Sequence, residues 1–139
     1  TQWAKIGRHM SAGSVAQARP DHDVVILYGD GSAGYSIVEF DSFVRNRLPI
    51  AAIIGNDACW MQIYRDQKTL LGDDVACMLN YSPYDQIAKT FGGAGQTISK
   101  PAQIKTAVTA LKKSLSQKKP YILNVLIGRS EFRKGSISI

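Results

Sequence analysis

The chain has 139 residues, 45% of them hydrophobic and 20% charged, which supports one substantial core and, at roughly 150 residues per domain, a single unit. No apolar run approaches the roughly 20 residues that cross a bilayer, and the opening TQWAKIGRHM lacks the apolar centre of a secretory signal. The chain therefore reads as soluble and intracellular, of unassigned compartment, and its start at Thr1 reads as that of a piece of a longer protein.

The 17 basic residues exceed the 11 acidic ones to give a formal charge of +6. From Gln86 to Ser130 there is no Asp or Glu, while Lys89, Lys100, Lys105, Lys112, Lys113, Lys118, Lys119 and Arg129 fall there. Without interleaved aromatics or a nucleic-acid motif, these lysines read as the solvated face of a helix, and nucleic acid is not an expected partner. Cys59 and Cys77 have no CxxC spacing or paired histidines, so they read as reduced, partly buried thiols with no zinc site or disulfide framework.

In chain order, Ser11 to Ala18 (SAGSVAQA) is rich in small residues and is expected to be helical, ending before Arg19-Pro20. His22, between Asp21 and Asp23, reads as an exposed turn residue, and His9 has no metal-spaced companion. Val24 to Tyr28 is a short β-branched run, as expected of a strand buried on both faces. Ile37, Phe40, Phe43 and Val44 then recur at helical spacing, with Ser36 placed as the N-cap. Ile50 to Ile54 is a second strand. Asp66 to Ser82 has little period and reads as a long connection of the kind that is functional or mobile. Pro83 opens a helix in which Tyr84, Ile87, Ala88 and Phe91 share a face and Gly92-Gly93 mark the end. A weak strand, Gly95 to Ser99, precedes a helix over Pro101 to Leu115, with Ser99 as cap and Ile104, Ala107, Val108 and Leu111 inward. Tyr121 to Ile127 is the last strand. Strands alternating with helices predict a three-layer α/β/α domain with a mainly parallel, Rossmann-like sheet and right-handed crossovers.

In such sheets ligands bind beyond the carboxyl ends of the strands. The residues that follow the first two strands are Asp30, in GDGSAGYS, and Asn56. Gly31 and Ser32 would let backbone approach a ligand, and the start of the following helix favours an anion. A carboxylate beside an anion repels it unless a cation lies between them, and Asp30 with the Asn56 carboxamide offers two hard oxygen ligands for Mg²⁺. Each segment alone is also an ordinary Asx-turn, GDG at one strand end and Asn56-Asp57 at the other. Their pairing at two adjacent strand ends favours the metal.

Gly29-Asp30-Gly31, 25 intervening residues and Asn56 together resemble the GDG…NN motif of the thiamine-diphosphate-dependent enzymes. The stretch from ARPDHDVVILYGDG to WMQIYRDQ, the helix YSPYDQIAKTFGGAG and the ending NVLIGRSEFRKGSISI are similar to the C-terminal, diphosphate-binding domain of the acetolactate-synthase-like and 2-hydroxyacyl-CoA lyase branch. The resemblance implies thiamine diphosphate and Mg²⁺ as cofactors, with Asp30, Asn56 and the Ala58 carbonyl as metal ligands. Gly29, Gly31 and Ser32 would lie at the diphosphate and Trp60 beside the cofactor, with Trp60, Gln62 and Tyr64 lining the substrate side; Trp60 with Ile63 reads equally well as packing a short helix against the sheet. The chain departs from the pattern at Gly55, where the family often has Asn, and near Lys5 to Gly7, where KIG stands in place of a glycine-rich segment.

The family's activating glutamate lies in a separate pyrimidine-binding domain. Neither Glu39 nor Glu131 answers to it, so no catalytic residue is assigned to this chain. The resemblance thus implies part of a carboligase or lyase that acts at a C–C bond next to a carbonyl. It would be inactive alone, completed by the pyrimidine-binding domain of its parent or of a second subunit, and would work as a homo-oligomer. The rivals are a true acetolactate synthase and a non-catalytic assembly or regulatory domain that keeps the fold; the missing glutamate supports the second.

Overall fold

A computed structural model describes the backbone of residues 8–129 and the side chains of 12–129. The KIG segment at Lys5 to Gly7, Glu131 and most of the ending NVLIGRSEFRKGSISI lie outside the described residues, as does the side chain of His9. Four parallel strands form one sheet in the order β1 (Val24–Gly29), β2 (Ile50–Asn56), β4 (Tyr121–Leu126) and β3 (Ala94–Ile98). The helices are α1 (Arg8–Ala18), α2 (Asp30–Gly34), α3 (Phe40–Arg45), α4 (Met61–Leu71), α5 (Tyr84–Thr90) and α6 (Ile104–Ser116), with 3₁₀ turns at Ile37–Glu39 and Pro101–Gln103. None is long and apolar enough to cross a membrane.

Side-chain alternation along the strands splits the core in two. On one face Ile26, Ile50, Ala52, Ile54 and Ile122 meet Ala12 and Ala16 of α1, Phe40 and Phe43 of α3, and Tyr84 and Ala88 of α5. The rings of Phe40 and Phe43 meet edge to face at 5.7 Å, the geometry that aromatic quadrupoles prefer. On the other face Ala51, Ile98, Tyr121 and Leu123 meet Ala107, Leu111 and Leu115 of α6.

The second layer is thinner than the sequence predicts. With α6 set over β4 and β3, nothing among the described residues covers the outer face of β1, where Val25 is 52% and Leu27 56% exposed. This strand is therefore buried on one face, not two. Ile104 and Val108 are likewise exposed, because the buried stripe of α6 runs through Ala107, Leu111, Ser114 and Leu115. Its lysines Lys105, Lys112 and Lys113 point to solvent.

The predicted caps also differ. Ser36 precedes the Ile37–Glu39 turn at φ −146° and makes no side-chain capping bond, because the polypeptide first completes the short α2. Before α6 the capping group is the Gln103 side chain, whose oxygen accepts from the backbone N–H of both Ser99 and Lys100 at 2.9 Å. Asp66 lies within α4, which runs on to a left-handed Gly72; the true connection is 73–83. The weak period there reflects a helix that buries none of its residues.

The glycines of FGGAG have a packing cause. A Cβ at Gly95 would lie 2.9 Å from the carbonyl oxygens of Asp85 and Ile122 and 3.0 Å from the Asp85 Cα. Helix α5 thus sits directly on the start of β3. Gly95→Ala must push apart backbone from two elements, and overpacking of this kind costs about 1–3 kcal/mol; urea unfolding of the full-length protein is expected to show a loss in that range with an unchanged denaturant slope.

A candidate cation and diphosphate site at the strand ends

The register of β1 and β2 pairs Tyr28 with Ile54 and Gly29 with Gly55. Asp30 and Asn56 therefore follow one another's strands at the same level, as the sequence implies. Asp30 is 2% and Asn56 0% exposed, and each is held by backbone. Asp30 Oδ1 accepts from its neighbour Gly31 N–H at 2.9 Å, and Oδ2 accepts from Cys59 N–H across the strand ends at 3.2 Å. Asn56 Oδ1 accepts from Ala58 N–H at 3.3 Å, a long contact that leaves most of its acceptor capacity unspent.

The turn that follows β2 makes this possible. Ala58 adopts φ +53°, an uncommon conformation for a residue with a Cβ. It places consecutive N–H groups, those of Ala58 and Cys59, on Asn56 and Asp30. The turn is braced by a short antiparallel bridge of Cys59 with Met78, by Trp60 N–H donating to the Cys77 carbonyl at 2.8 Å, and by Leu79 N–H donating to the Ala58 carbonyl at 2.9 Å. Cys59 and Cys77 are free and buried; burial pushes the Cys59 thiol up, so it is held protonated.

Tyr84, at the start of α5, donates its hydroxyl to the Asp30 carbonyl at 3.0 Å. The sequence pattern shows this residue only as part of an apolar helix face; an aromatic with a polar tip at a helix start was the available signal. Together Asp30, Gly31, Gly34, Tyr35, Trp60, Leu79 and Tyr84 line an open cleft of about 290 Å³. Trp60 lies over Gly31, where an added Cβ would come within 2.7 Å of its ring, and meets Tyr35 edge to face at 5.5 Å. Gly29, in contrast, faces open space. Ser32 is half-buried beside the cleft, while Gln62 and Tyr64 sit on α4 and are not among the cleft-lining residues. His22 is exposed, paired with Asp21 at 2.9 Å.

Among the described residues no cationic side chain pairs with Asp30. Burial raises its carboxyl above the usual range and the neighbouring Asp57 adds to this, against the bonds from Gly31 and Cys59 that lower it. A cationic group does lie next door: Arg129 donates to the Asp57 carbonyl at 3.2 Å and to the Ala58 carbonyl at 3.1 Å. With Leu79 N–H also on it, the Ala58 oxygen has both lone pairs engaged. No group of three His, Cys, Asp or Glu is gathered among the described residues. The donor set at the strand ends is instead a carboxylate, a carboxamide and carbonyls, hard oxygen ligands that suit Mg²⁺ and not zinc.

Residues 1–125 match the family described as the thiamine pyrophosphate enzyme, C-terminal TPP binding domain. The chain is 45% identical over 123 residues to 2-hydroxyacyl-CoA lyase 2 of Danio rerio, covering 87% of this chain and 20% of that protein. It is 42% identical to the Homo sapiens 2-hydroxyacyl-CoA lyase 2 with the same coverage, and 34% identical to a probable acetolactate synthase of Mycobacterium bovis, covering 78% of this chain and 20% of that one. Among solved structures, the thiamine diphosphate-dependent 4-hydroxybenzoylformate decarboxylase of Rhodococcus jostii RHA1 superposes with a TM-score of 0.76 at 27% identity, covering 87% of this chain and 23% of its own. The chain thus spans about a fifth of the length of the relatives it matches. A parallel sheet that ends in GDG on one strand and Asn56 on the next, with similarity running through residue 125, makes the chain a member of the C-terminal, thiamine-pyrophosphate-binding domain family of thiamine-pyrophosphate enzymes.

Proposed function

We propose that this domain holds the diphosphate of thiamine diphosphate through Mg²⁺, as part of an enzyme that makes or breaks a C–C bond beside a carbonyl. One observation carries the metal: a fully buried carboxylate, Asp30, with no ion-pair partner among the described residues, beside a buried carboxamide oxygen with spare acceptor capacity. A divalent cation relieves the cost of that buried charge and turns the site attractive to phosphate. Asp30 and Asn56 would supply two protein ligands. The Ala58 carbonyl would become the third once Arg129 withdraws from it, and that guanidinium is then free to face an anion. Gly29 and Ser32 would border the diphosphate, and Trp60 would wall the cofactor cleft.

When bound, thiamine diphosphate supplies a carbon nucleophile that adds to a carbonyl and accepts the electron pair released from the adjacent bond. This domain's part is to bind, orient and exclude water. Glu39, in the Ile37–Glu39 turn, is not among the cleft-lining residues, so the activating glutamate is assigned to a pyrimidine-binding domain outside this chain. The names of the relatives favour a lyase or carboligase, with 2-hydroxyacyl-CoA lyase ahead of acetolactate synthase by identity. The domain alone would have no appreciable turnover.

Helix α4 fits a domain that works within a larger assembly, as both the catalytic and the assembly readings require. It buries none of its residues, and Leu70 and Leu71 are 79% and 74% exposed. Apolar side chains so placed, next to Val75 and Met78 on the connection that braces the site, fit a surface covered by the missing domain or by a second subunit of a homo-oligomer.

Calorimetry of the full-length protein is expected to show thiamine diphosphate binding that requires Mg²⁺ and is lost in Asp30→Ala; equal binding by wild type with and without metal would rule out the proposed clamp. Replacing Leu70 and Leu71 with lysine is expected to weaken subunit or domain association in sedimentation while leaving the melting temperature within a few degrees. The pH dependence of stability follows from the raised Asp30 carboxyl. The fold holds this proton more tightly than the unfolded chain does, so the stabilisation is full below the ordinary carboxylate range and is lost as pH rises through the raised value. Metal-free Asp30→Asn is therefore expected to melt above wild type at neutral pH, with the gap closing toward acid. Saturating Mg²⁺ and thiamine diphosphate should reverse the order.

A further inference from the structure

The carboxyl-end layer of the sheet face under α5 is polar. Asn56 ends β2; two residues before it Ile54 pairs with Asn124 of β4, and Asn124 pairs with Thr97 of β3. In a parallel sheet such partners point to one face, so Asn56, Asn124 and Thr97 project into the same space. Asn56 and Asn124 are essentially inaccessible to solvent.

Their hydrogen bonds form a chain with one direction. Asn56 Nδ2 donates both its protons, to the Ser82 carbonyl at 3.1 Å and to Asn124 Oδ1 at 3.2 Å. Asn124 Nδ2 donates both of its own, to the same Ser82 carbonyl at 3.2 Å and to Thr97 Oγ1 at 3.1 Å. Thr97 gives its single hydroxyl proton to Asp85 Oδ1 at 2.6 Å. Asp85 Oδ2 in turn accepts from Gln86 Nε2 at 2.9 Å and Lys89 Nζ at 3.1 Å.

Chemistry fixes the order. An ionised carboxylate only accepts, so Thr97 must donate to Asp85 and can offer Asn124 nothing but a lone pair. Asn124 must then turn its NH₂ toward Thr97 and its oxygen toward Asn56. Asn56 must turn its NH₂ toward Asn124, which leaves its oxygen on the side of Ala58 N–H and the Asp30 cluster. Reversing either carboxamide would set oxygen against the Ser82 carbonyl and leave buried groups unpaired.

We propose that Thr97 and Asn124 are positioning residues that hold the Asn56 carboxamide oxygen toward the cation site, with Asp85 setting the direction of the whole chain. This rests on the Mg²⁺ reading of Asp30 and Asn56. It extends the site to α5 and β3, and it ties the 73–83 connection in through the Ser82 carbonyl. Outer groups that orient a ligand commonly control metal affinity by 10- to 100-fold.

The test uses the full-length protein with thiamine diphosphate present and Mn²⁺ as an EPR-visible probe of metal affinity, alongside metal-free melting temperatures. Thr97→Val, which keeps shape and removes the hydroxyl, is expected to raise the Mn²⁺ dissociation constant about tenfold. Thr97→Ser, which keeps the hydroxyl, is expected to restore wild-type affinity. Asp85→Asn, which can donate as well as accept and so releases the imposed direction, is expected to weaken Mn²⁺ severalfold and carries the test alone if Thr97→Val does not fold. Wild-type Mn²⁺ affinity in both Thr97→Val and Asp85→Asn, with Asp30→Ala having lost the metal, overturns the positioning chain and leaves the site standing. A loss in Thr97→Val that Thr97→Ser does not rescue, or a fall in metal-free melting temperature without change in Mn²⁺ affinity, also overturns it. If wild type binds no Mn²⁺ with the cofactor, the cation site itself falls, and the positioning role with it.

Discussion

Asp30 sits where β1 becomes α2, closed off from solvent, and every neighbouring segment bends to accommodate its charge. The Gly31 N–H turns back onto one oxygen and the Cys59 N–H crosses from the next strand to the other. Tyr84 fixes the backbone of the same residue from α5. Ala58 takes a left-handed conformation to deliver the crossing donor. Two neutral N–H groups soften the penalty of a buried carboxylate but do not cancel it. The core could be built without this arrangement, since the apolar clusters on both sheet faces lie deeper along the strands. What the arrangement provides is a buried carboxylate with no ion-pair partner among the described residues.

The same level of the sheet holds the remaining polar groups. Below it the sheet face under α1, α3 and α5 is made of isoleucine and alanine; at it stand Thr97, Asn124 and Asn56, roofed by Asp85 and the Ser82 carbonyl. Burial pushes the Asp85 carboxyl up, yet the bonds from Thr97 and Lys89 outweigh it and hold the group below the usual carboxylate range. Two buried carboxylates on one domain are thus treated in opposite ways. Asp85 is satisfied by this chain's own donors, and Asp30 has no ion-pair partner among the described residues.

The sheet, its direction and its strand ends were legible in the sequence because β-branched runs alternating with helical spacing admit few topologies. The pairing of Asp30 with Asn56 followed from placing each at the end of a strand. What escaped is what depends on lateral contact. Asn124 reads as one polar residue in YILNVLI and Thr97 as part of a weak strand, because hydrogen-bond partners 27 and 68 positions away leave no local pattern. Tyr84 reads as apolar because period shows the ring and not the hydroxyl. The connection was placed from Asp66, inside α4, because that helix fully buries none of its residues, so the pattern that marks a buried face was weak. Ile104 and Val108 fit a helical spacing, but the face that α6 buries is turned from them, through Ala107, Leu111, Ser114 and Leu115.

Strand β1 is one of the two edges of the sheet, and among the described residues one of its faces bears Val25 and Leu27 in the open. An edge strand with a greasy flank is an address for another extended peptide. Where nothing covers such an edge, a further strand, including that of a second copy, can add to it. The rim beside the candidate cleft is therefore also a surface through which the domain can adhere to another chain.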